Sequence, residues 1–168
     1  IYGAGKLSDG KEYLWALDEA TGQQKWATPF ATAPAKISYG EGTRSTPTFA
    51  NGKVYIVSID GTLACLNTTG KVLWTKNYVK DFGGIKPVWG FSESPLVDGD
   101  KIICTPGGED AVLMALDKES GKPIWKCKVP EGRTGNRGFL GTSGAAYSSA
   151  LPIDVEGVRQ YVQFTATT

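Results

Sequence analysis

One phrase occurs three times in this sequence at nearly even spacing. It reads "ALDEATGQQKW" at 16–26, "CLNTTGKVLW" at 65–74 and "ALDKESGKPIW" at 115–125. The closing tryptophans Trp26, Trp74 and Trp125 are 48 and 51 residues apart. A period of this length is typical of an architecture that stacks one supersecondary unit repeatedly. The repeat therefore constrains the fold more than any other feature of the chain.

Each unit divides into four short segments separated by turn signals. In the copy at 45–76 these are "STPTF", "KVYIVSI", "TLACLN" and "KVLWTK", which are rich in β-branched and aromatic residues. "NG", "DG" and "TTG" stand between them, and such residues favour the positive φ of tight turns. Four antiparallel strands repeated every ~50 residues predict an all-β fold, a β-propeller built of four-stranded antiparallel blades. A β-sandwich is the alternative, but it would not explain why the tryptophan and the turn recur together.

The residue types within the phrase predict a structural role. The Asp or Asn side chain accepts hydrogen bonds from turn amides, and the Gly supplies a left-handed conformation. An outer-strand Trp fills the groove between blades, where it buries ~150–250 Å². The residues assigned to blade docking are Ala16, Asp18, Gly22, Trp26, Asn67, Gly70, Trp74, Ala115, Asp117, Gly121 and Trp125.

The pattern A-x-D-x-x-[TS]-G-x-x-x-W resembles the tryptophan-docking motif of the PQQ-type β-propeller repeat. Residues 16–26 and 115–125 match it fully, whereas 65–74 has a shorter turn, Cys65 for Ala and Asn67 for Asp. The repeat occurs in quinoprotein dehydrogenases, in the propeller lipoprotein of outer-membrane assembly and in many large bacterial secreted proteins. The resemblance implies a periplasmic or secreted location and a ring of seven or eight blades.

The positions of the segments predict one partial propeller domain over 1–168, about three blades' worth. Residues 1–30 would supply a strand end and the last two strands of a blade, 45–80 and 92–128 two full blades, and 147–168 the first two strands of another. The expected partners are the remaining blades of a longer chain. The alternative partner is a second copy that joins head to tail and closes a ring of six blades.

Composition excludes several classes of function. The chain has no His, so His-ligated metals and His-based triads are excluded. The 18 Lys and Arg against 17 Asp and Glu leave no basic footprint for nucleic acid. No apolar window is long enough to predict a membrane span. Cys65, Cys104 and Cys127 lie in apolar runs and are expected to be buried small hydrophobes.

Candidate ligand residues lie where long outer-to-inner loops are expected, at about 27–44, 77–91 and 129–146, on the face that carries the channel mouth. The rim candidates there are Arg44, Trp89, Phe91, Glu93 and Tyr147. Alternatively, these residues are exposed to solvent or form hydrogen bonds between blades. The Gly-rich stretch 131–147, with Arg133 and Arg137, is interpreted as a surface loop rather than an anion site. No catalytic constellation and no metal site is predicted.

Three functions remain open. The leading hypothesis is a binding or scaffold module, so the chain is not expected to be an enzyme by itself. The second is part of a PQQ-dependent quinoprotein oxidoreductase of the alcohol or sugar dehydrogenase type. By resemblance, such enzymes hold PQQ and Ca²⁺, and Glu93 is the one carboxylate nominated as a ligand, although the Cys-Cys pair of many members is missing. The third is a glycan- or peptide-binding propeller.

Overall fold

The computed structural model describes residues 1–33, 40–128, 145 and 147–165. Thirteen strands and one short helix lie in these ranges. The strands form four antiparallel sheets, of three, four, four and two strands in chain order. Within each sheet, strands that follow one another in the chain pair with one another. Most of the Gly-rich stretch, with Arg133 and Arg137, lies outside the described residues, as do parts of the two expected loops 27–44 and 129–146.

The first sheet has a longer first strand than the sequence predicts. Its strands are β1 (Tyr2–Lys6), β2 (Lys11–Leu17) and β3 (Gln24–Thr32). The expected strand end is a full strand, β1, which pairs with β2 along its whole length. The sequence did not predict the full length of this strand, because Gly3 and Gly5 have low β propensity. These glycines make room for Trp15, since a Cβ at Gly3 would lie 2.5 Å from its indole nitrogen.

The two middle sheets each contain four strands in simple up-and-down order. The second sheet consists of β4 (Thr48–Ala50), β5 (Lys53–Val57), β6 (Thr62–Asn67) and β7 (Val72–Asn77). The third consists of β8 (Leu96–Asp98), β9 (Lys101–Cys104), β10 (Leu113–Asp117) and β11 (Pro123–Cys127). Four antiparallel strands in this order form the blade that the repeat predicts.

The last sheet contains β12 (Leu151–Val155) and β13 (Val158–Val162). When the repeats are aligned, β1, β5, β9 and β13 occupy the same place, the second strand of a blade. The first and last sheets of two chains would therefore bring five strands together, with one place filled twice. Completion of one four-stranded blade by these two sheets, as the head-to-tail hypothesis predicts, would therefore require one of the two equivalent strands to leave its sheet.

A bulge recurs at the same position of the repeat. The register shifts between Ala16 and Leu17 in the first sheet, after Cys65 in the second and after Ala115 in the third. A bulge bends its strand and increases the local twist. The repeated phrase therefore carries a backbone irregularity as well as a set of side chains.

One helix interrupts the loop after the second sheet. Helix α1 (Tyr78–Phe82) is capped by Asn77, whose side chain accepts hydrogen bonds from the amides of Val79 and Lys80. Gly83, at φ 69°, ends the helix in a left-handed conformation. The sequence analysis predicted no helix here, because five residues are too few to show a helical period.

Each seam between neighbouring sheets has its own apolar cluster. Leu14, Phe30 and Val54 belong to the cluster between the first and second sheets. The largest cluster, around Tyr55, Tyr78, Phe91, Ile102 and Met114, joins the second sheet to the third. A smaller cluster, formed by Ile103, Ala115 and Ala150, lies between the third sheet and the last sheet. The core is therefore distributed along the seams, as in a stacked repeat.

The cysteine prediction holds for two of the three residues. Cys65 and Cys104 are buried, and burial raises the pKa of the Cys65 thiol to about 11. Cys127 is exposed at the end of β11. The prediction was wrong there because β11 is an outer strand whose residues are mostly exposed, although its sequence includes apolar residues.

Candidate functional site

The turn inside each repeated phrase is organised by its Asp or Asn. The Asp18 carboxylate accepts from the amides of Ala20 and Thr21 at 3.0 and 3.1 Å. Asp117 accepts from the amide of Ser120 at 2.8 Å, and Asn67 from the amides of Thr69 and Lys71. The Lys25 ammonium and the Thr21 donors lower the pKa of Asp18 to about 2. These side chains are engaged by their own turns.

Two of the repeated tryptophans reach across a seam to the next copy of the phrase. The Trp26 Nε1 donates to the Thr68 carbonyl at 2.9 Å. The Trp74 Nε1 donates to the Lys118 carbonyl at 3.3 Å, and the Tyr55 hydroxyl reaches the same oxygen. Each indole is partly buried in the apolar cluster of its seam. Trp125 has a different neighbour, because its ring centroid lies 6.0 Å from that of Tyr161.

The glycines of the three repeated phrases differ in the space available for an added Cβ. A Cβ added to Gly70 would lie 2.8 Å from the Trp26 ring, and one added to Gly121 would lie 2.9 Å from the Trp74 ring. Gly22 has the same backbone conformation, φ 70° against 69° for Gly121, but nothing lies within 4 Å of an added Cβ. Gly70 and Gly121 are therefore needed for close approach as well as for their backbone conformation.

The segments that lead into the inner strands are linked from sheet to sheet. The amide of Thr46 donates to the Ser94 hydroxyl at 2.9 Å, and the amide of Ser94 donates to the Ser149 hydroxyl at 2.8 Å. These three residues directly precede Pro47, Pro95 and Ala150, so they occupy equivalent positions in the repeat. The same hydrogen bond thus recurs from one unit to the next beside the predicted channel.

Of the five rim candidates, the structure brings Trp89 and Tyr147 together. Their ring centroids are 5.3 Å apart, and the Trp89 amide lies 3.4 Å from the Tyr147 hydroxyl. Tyr147 is exposed and Trp89 is partly so. Arg44 is half-buried, and its guanidinium donates to the Gly40 carbonyl at 3.3 Å. An exposed aromatic pair on a loop face can contact a ligand through its ring faces.

Phe91 and Glu93 do not lie on an exposed rim, and this corrects the sequence-based expectation. Phe91 is 1% exposed and packs edge-on against Tyr78 at 5.2 Å, below the turn at Gly61. Glu93 is 2% exposed, and its Oε1 accepts from the Thr105 amide at 2.8 Å. Burial raises the pKa of Glu93, despite the hydrogen bonds that lower it. Both side chains turn into the seam between the second and third sheets.

Glu12 is a second buried carboxyl group that the sequence analysis missed. Its carboxylate accepts from the Thr43 hydroxyl at 2.5 Å and from the Ile59 amide at 3.2 Å. Burial raises the pKa of Glu12 as well. The group ties β2 to the loop at 43 and to the turn at 59. Its sequence signal was weak, since Glu12 stands in an ordinary alternating strand.

A cleft of about 620 Å³ opens beside helix α1 on the face of the long loops. The Lys86 ammonium and the Asp60 carboxylate form an ion pair of 2.7 Å at its edge. Asn77 Nδ2 donates to the Thr62 hydroxyl at 3.2 Å. The cleft is lined by Thr32, Ala33, Asp60, Thr62, Asn77, Val79, Lys80 and Lys86. These residues come from separate segments of the chain, so no local sequence pattern groups them.

The described residues do not fit a calcium-bound quinone. No group of three or more His, Cys, Asp or Glu among them is placed to hold a metal ion. Calcium takes six to eight oxygen ligands, usually several carboxylates. The nominated ligand Glu93 is buried inside the seam, where its Oε1 accepts from the Thr105 amide. These residues therefore support no step through PQQ or Ca²⁺.

Consecutive antiparallel sheets, two of them four-stranded and three of them with the same bulge in the repeated phrase, define the chain as a β-propeller. The chain belongs to the family described as outer membrane protein assembly factor BamB, whose sequence profile matches residues 10–166, and its repeats are PQQ-like. No curated protein gives a significant match. The described residues contain no helix with the length and apolar content required to cross a membrane.

Several solved structures are similar to this chain. BamB from Moraxella catarrhalis has a TM-score of 0.57 at 22% identity, over 92% of this chain and 41% of that chain. A europium-containing methanol dehydrogenase has a TM-score of 0.50 at 21% identity, over 76% of this chain and 22% of that one. Quinohemoprotein alcohol dehydrogenase ADHIIG from Pseudomonas putida HK5 has 0.50 at 24%, over 75% and 20%. These likenesses confirm the fold, and the chain spans less than half the length of each.

Proposed function

We propose that this chain is a binding and scaffold module of the PQQ-like propeller type, with its ligand face at the long loops. The proposal rests on the observation that two different sets of residues form the contacts between sheets and the open loop face. The repeated phrases contact one another across the seams, whereas the loop face carries the open cleft and the Trp89–Tyr147 pair. Rigid scaffolds with functional loops are a common arrangement for binding.

The scaffold half of the proposal assigns the phrase residues to blade docking. Trp26 and Trp74 donate to carbonyls of the next unit, and Gly70 and Gly121 leave space for their rings. Asn67 and Asp117 shape the turns that receive these tryptophans, and Asp18 shapes the equivalent turn of the first sheet. The division into an incomplete blade, two full blades and a further incomplete blade follows from the same assignment. Further blades, in a longer chain or in a second copy, are the proposed structural partners.

The binding half of the proposal places a ligand at Arg44, Trp89 and Tyr147 and at the neighbouring cleft. The ring faces of Trp89 and Tyr147 offer apolar contact, and the cleft offers charged and amide groups such as Lys86 and Asn77. This combination suits a peptide segment or a glycan, which present apolar faces and polar edges together. The family description names outer-membrane assembly, so we propose a protein partner and a periplasmic location.

Site-specific photo-crosslinking tests the proposed face. A photoreactive residue replaces Val88, which is exposed beside Trp89, and in a matched variant it replaces Thr69, which is exposed at the opposite turns. In cells that produce the protein, we expect a discrete crosslinked partner from position 88 and none from position 69. Equal crosslinking from both positions, or crosslinking from position 69 alone, would contradict the proposal.

The glycan alternative is favoured by the same aromatic pair, and a glycan array with a Trp89→Ala control tests it. The oxidoreductase alternative predicts a new absorbance band when PQQ and CaCl₂ are added, together with dye reduction in the presence of an alcohol. We expect neither from this chain. A saturable band that Glu93→Gln abolishes would instead support the oxidoreductase.

A further inference from the structure

Three polar atoms lie inside the apolar seam between the second and third sheets without a hydrogen-bond partner among the described residues. They are the Tyr78 hydroxyl, Glu93 Oε2 and the Thr105 hydroxyl. Tyr78 is fully buried, and Glu93 and Thr105 are 2% and 1% exposed. Unpaired buried polar groups are costly and rare in native proteins, so three in one place require an explanation.

The three groups are close enough to act on one another. Both hydroxyls lower the pKa of Glu93, although burial raises it by more. Burial raises the pKa of Tyr78 and of Cys104, and the nearby Glu93 carboxylate raises both further. Yet none of the three atoms has a partner at hydrogen-bond geometry. Buried polar groups that lie near one another without hydrogen-bond geometry can be bridged by water.

Comparison with the preceding repeat shows which of the two Glu93 carboxyl oxygens is not needed for the backbone hydrogen bond. At the equivalent position, the Ser45 hydroxyl accepts from the Val57 amide at 3.4 Å. Glu93 accepts from the Thr105 amide in the same way through Oε1. A serine therefore suffices for the backbone contact. The second carboxyl oxygen reaches further into the seam, towards the two hydroxyl groups.

We propose that one buried water molecule is bound by the Tyr78 hydroxyl, Glu93 Oε2 and the Thr105 hydroxyl. Water has two donors and two acceptors, and buried waters typically make about three hydrogen bonds. A carboxyl oxygen and two hydroxyl groups supply both kinds of partner. The water links helix α1 to the inner and second strands of the third sheet. The inference is independent of the proposed binding function.

A high-resolution crystal structure of the full chain tests the site directly. We expect a water peak within about 2.6–3.2 Å of at least two of the three atoms. A direct hydrogen bond between Tyr78 and Glu93 with no density between them would overturn the proposal. Density with metal-like distances of about 2.0–2.6 Å would also overturn it.

Thermal unfolding of Thr105→Val tests the same site in solution. If the Thr105 hydroxyl binds the water, its loss lowers the Tm by about 2–4 °C, because a hydrogen bond is lost from a chain of this size. If the hydroxyl has no partner, its removal leaves the Tm unchanged or raises it, and the proposal fails. Thr75→Val, at an exposed position of β7, is the control for the intrinsic effect of the substitution.

A double variant then shows whether the groups share one water. Tyr78→Phe removes the second hydroxyl and keeps the ring that packs on Phe91. If both hydroxyls bind the same molecule, the loss of Tm in Tyr78→Phe/Thr105→Val is smaller than the sum of the single losses. Additive losses would contradict a shared water.

Discussion

At the residue scale, the two buried carboxyl groups have the most unusual chemistry in the chain. Glu12 and Glu93 are almost fully buried, and burial raises the pKa of both. The folded chain therefore binds their protons more tightly than the unfolded chain does. Their contribution to stability is fully present below the unfolded pKa of about 4.3 and is lost as the pH rises through the folded pKa.

Glu93→Gln should remove part of this pH dependence. The amide oxygen can still accept from the Thr105 amide, and no charge is forced into the seam at neutral pH. We expect the Tm of the variant relative to the natural chain to rise with pH from about pH 4.3 up to the folded pKa of Glu93. Glu19→Gln, at an exposed turn, is the control and should show no such trend. A difference that is constant across this range would contradict a raised pKa at Glu93.

At the element scale, helix α1 depends on a cap that the sequence analysis overlooked. The Asn77 side chain accepts from two helix amides and donates to the Thr62 hydroxyl. Asn77→Ala should cost about 1 kcal/mol or more of unfolding free energy, since N-cap removal alone costs about that much. Asn77→Asp retains the acceptor and should cost less. Denaturant unfolding measures both variants, and equal losses would show that the cap is unimportant.

The elements that could be predicted are those with strong local signals. The eight strands of the two middle sheets follow from β-branched runs and Gly-containing turns. Strand β1 has two glycines that fit against Trp15, so its local sequence favours no strand, and pairing with β2 alone forms it. Helix α1 is marked only by Asn77 and Gly83. Tertiary contacts decided both cases, and local propensity could not reveal them.

The candidate site was predictable only in part, for a similar reason. Alignment of the repeats gives the position of a residue along the inner strand, but not the direction in which the preceding loop turns. The rings of Trp89 and Tyr147 lie close together. Phe91 instead fills the space below Gly61, and Glu93 bonds to the next strand. The sequence alone did not reveal that the Thr105 amide is the partner of Glu93. The burial of Glu93 therefore could not be predicted.

At the scale of the whole molecule, stability is distributed over seams that repeat one design. Apolar clusters fill the seams, and backbone-to-serine hydrogen bonds link the segments before the inner strands. In such a stacked repeat, each unit is stabilised mainly by its neighbours. Damage to one seam should therefore destabilise the units on both sides of it while leaving more distant turns unaffected.

The account rests on the claim that the repeated phrase joins neighbouring blades. A set of glycine variants tests it most directly, because Gly121 and Gly22 share one backbone conformation and only Gly121 faces a tryptophan. We expect Gly121→Ala to cost about 1–3 kcal/mol more unfolding free energy than Gly22→Ala, through overpacking against Trp74. In a Trp74→Ala background this excess should largely disappear. Equal costs for the two glycine variants, or an excess that persists without Trp74, would contradict the account.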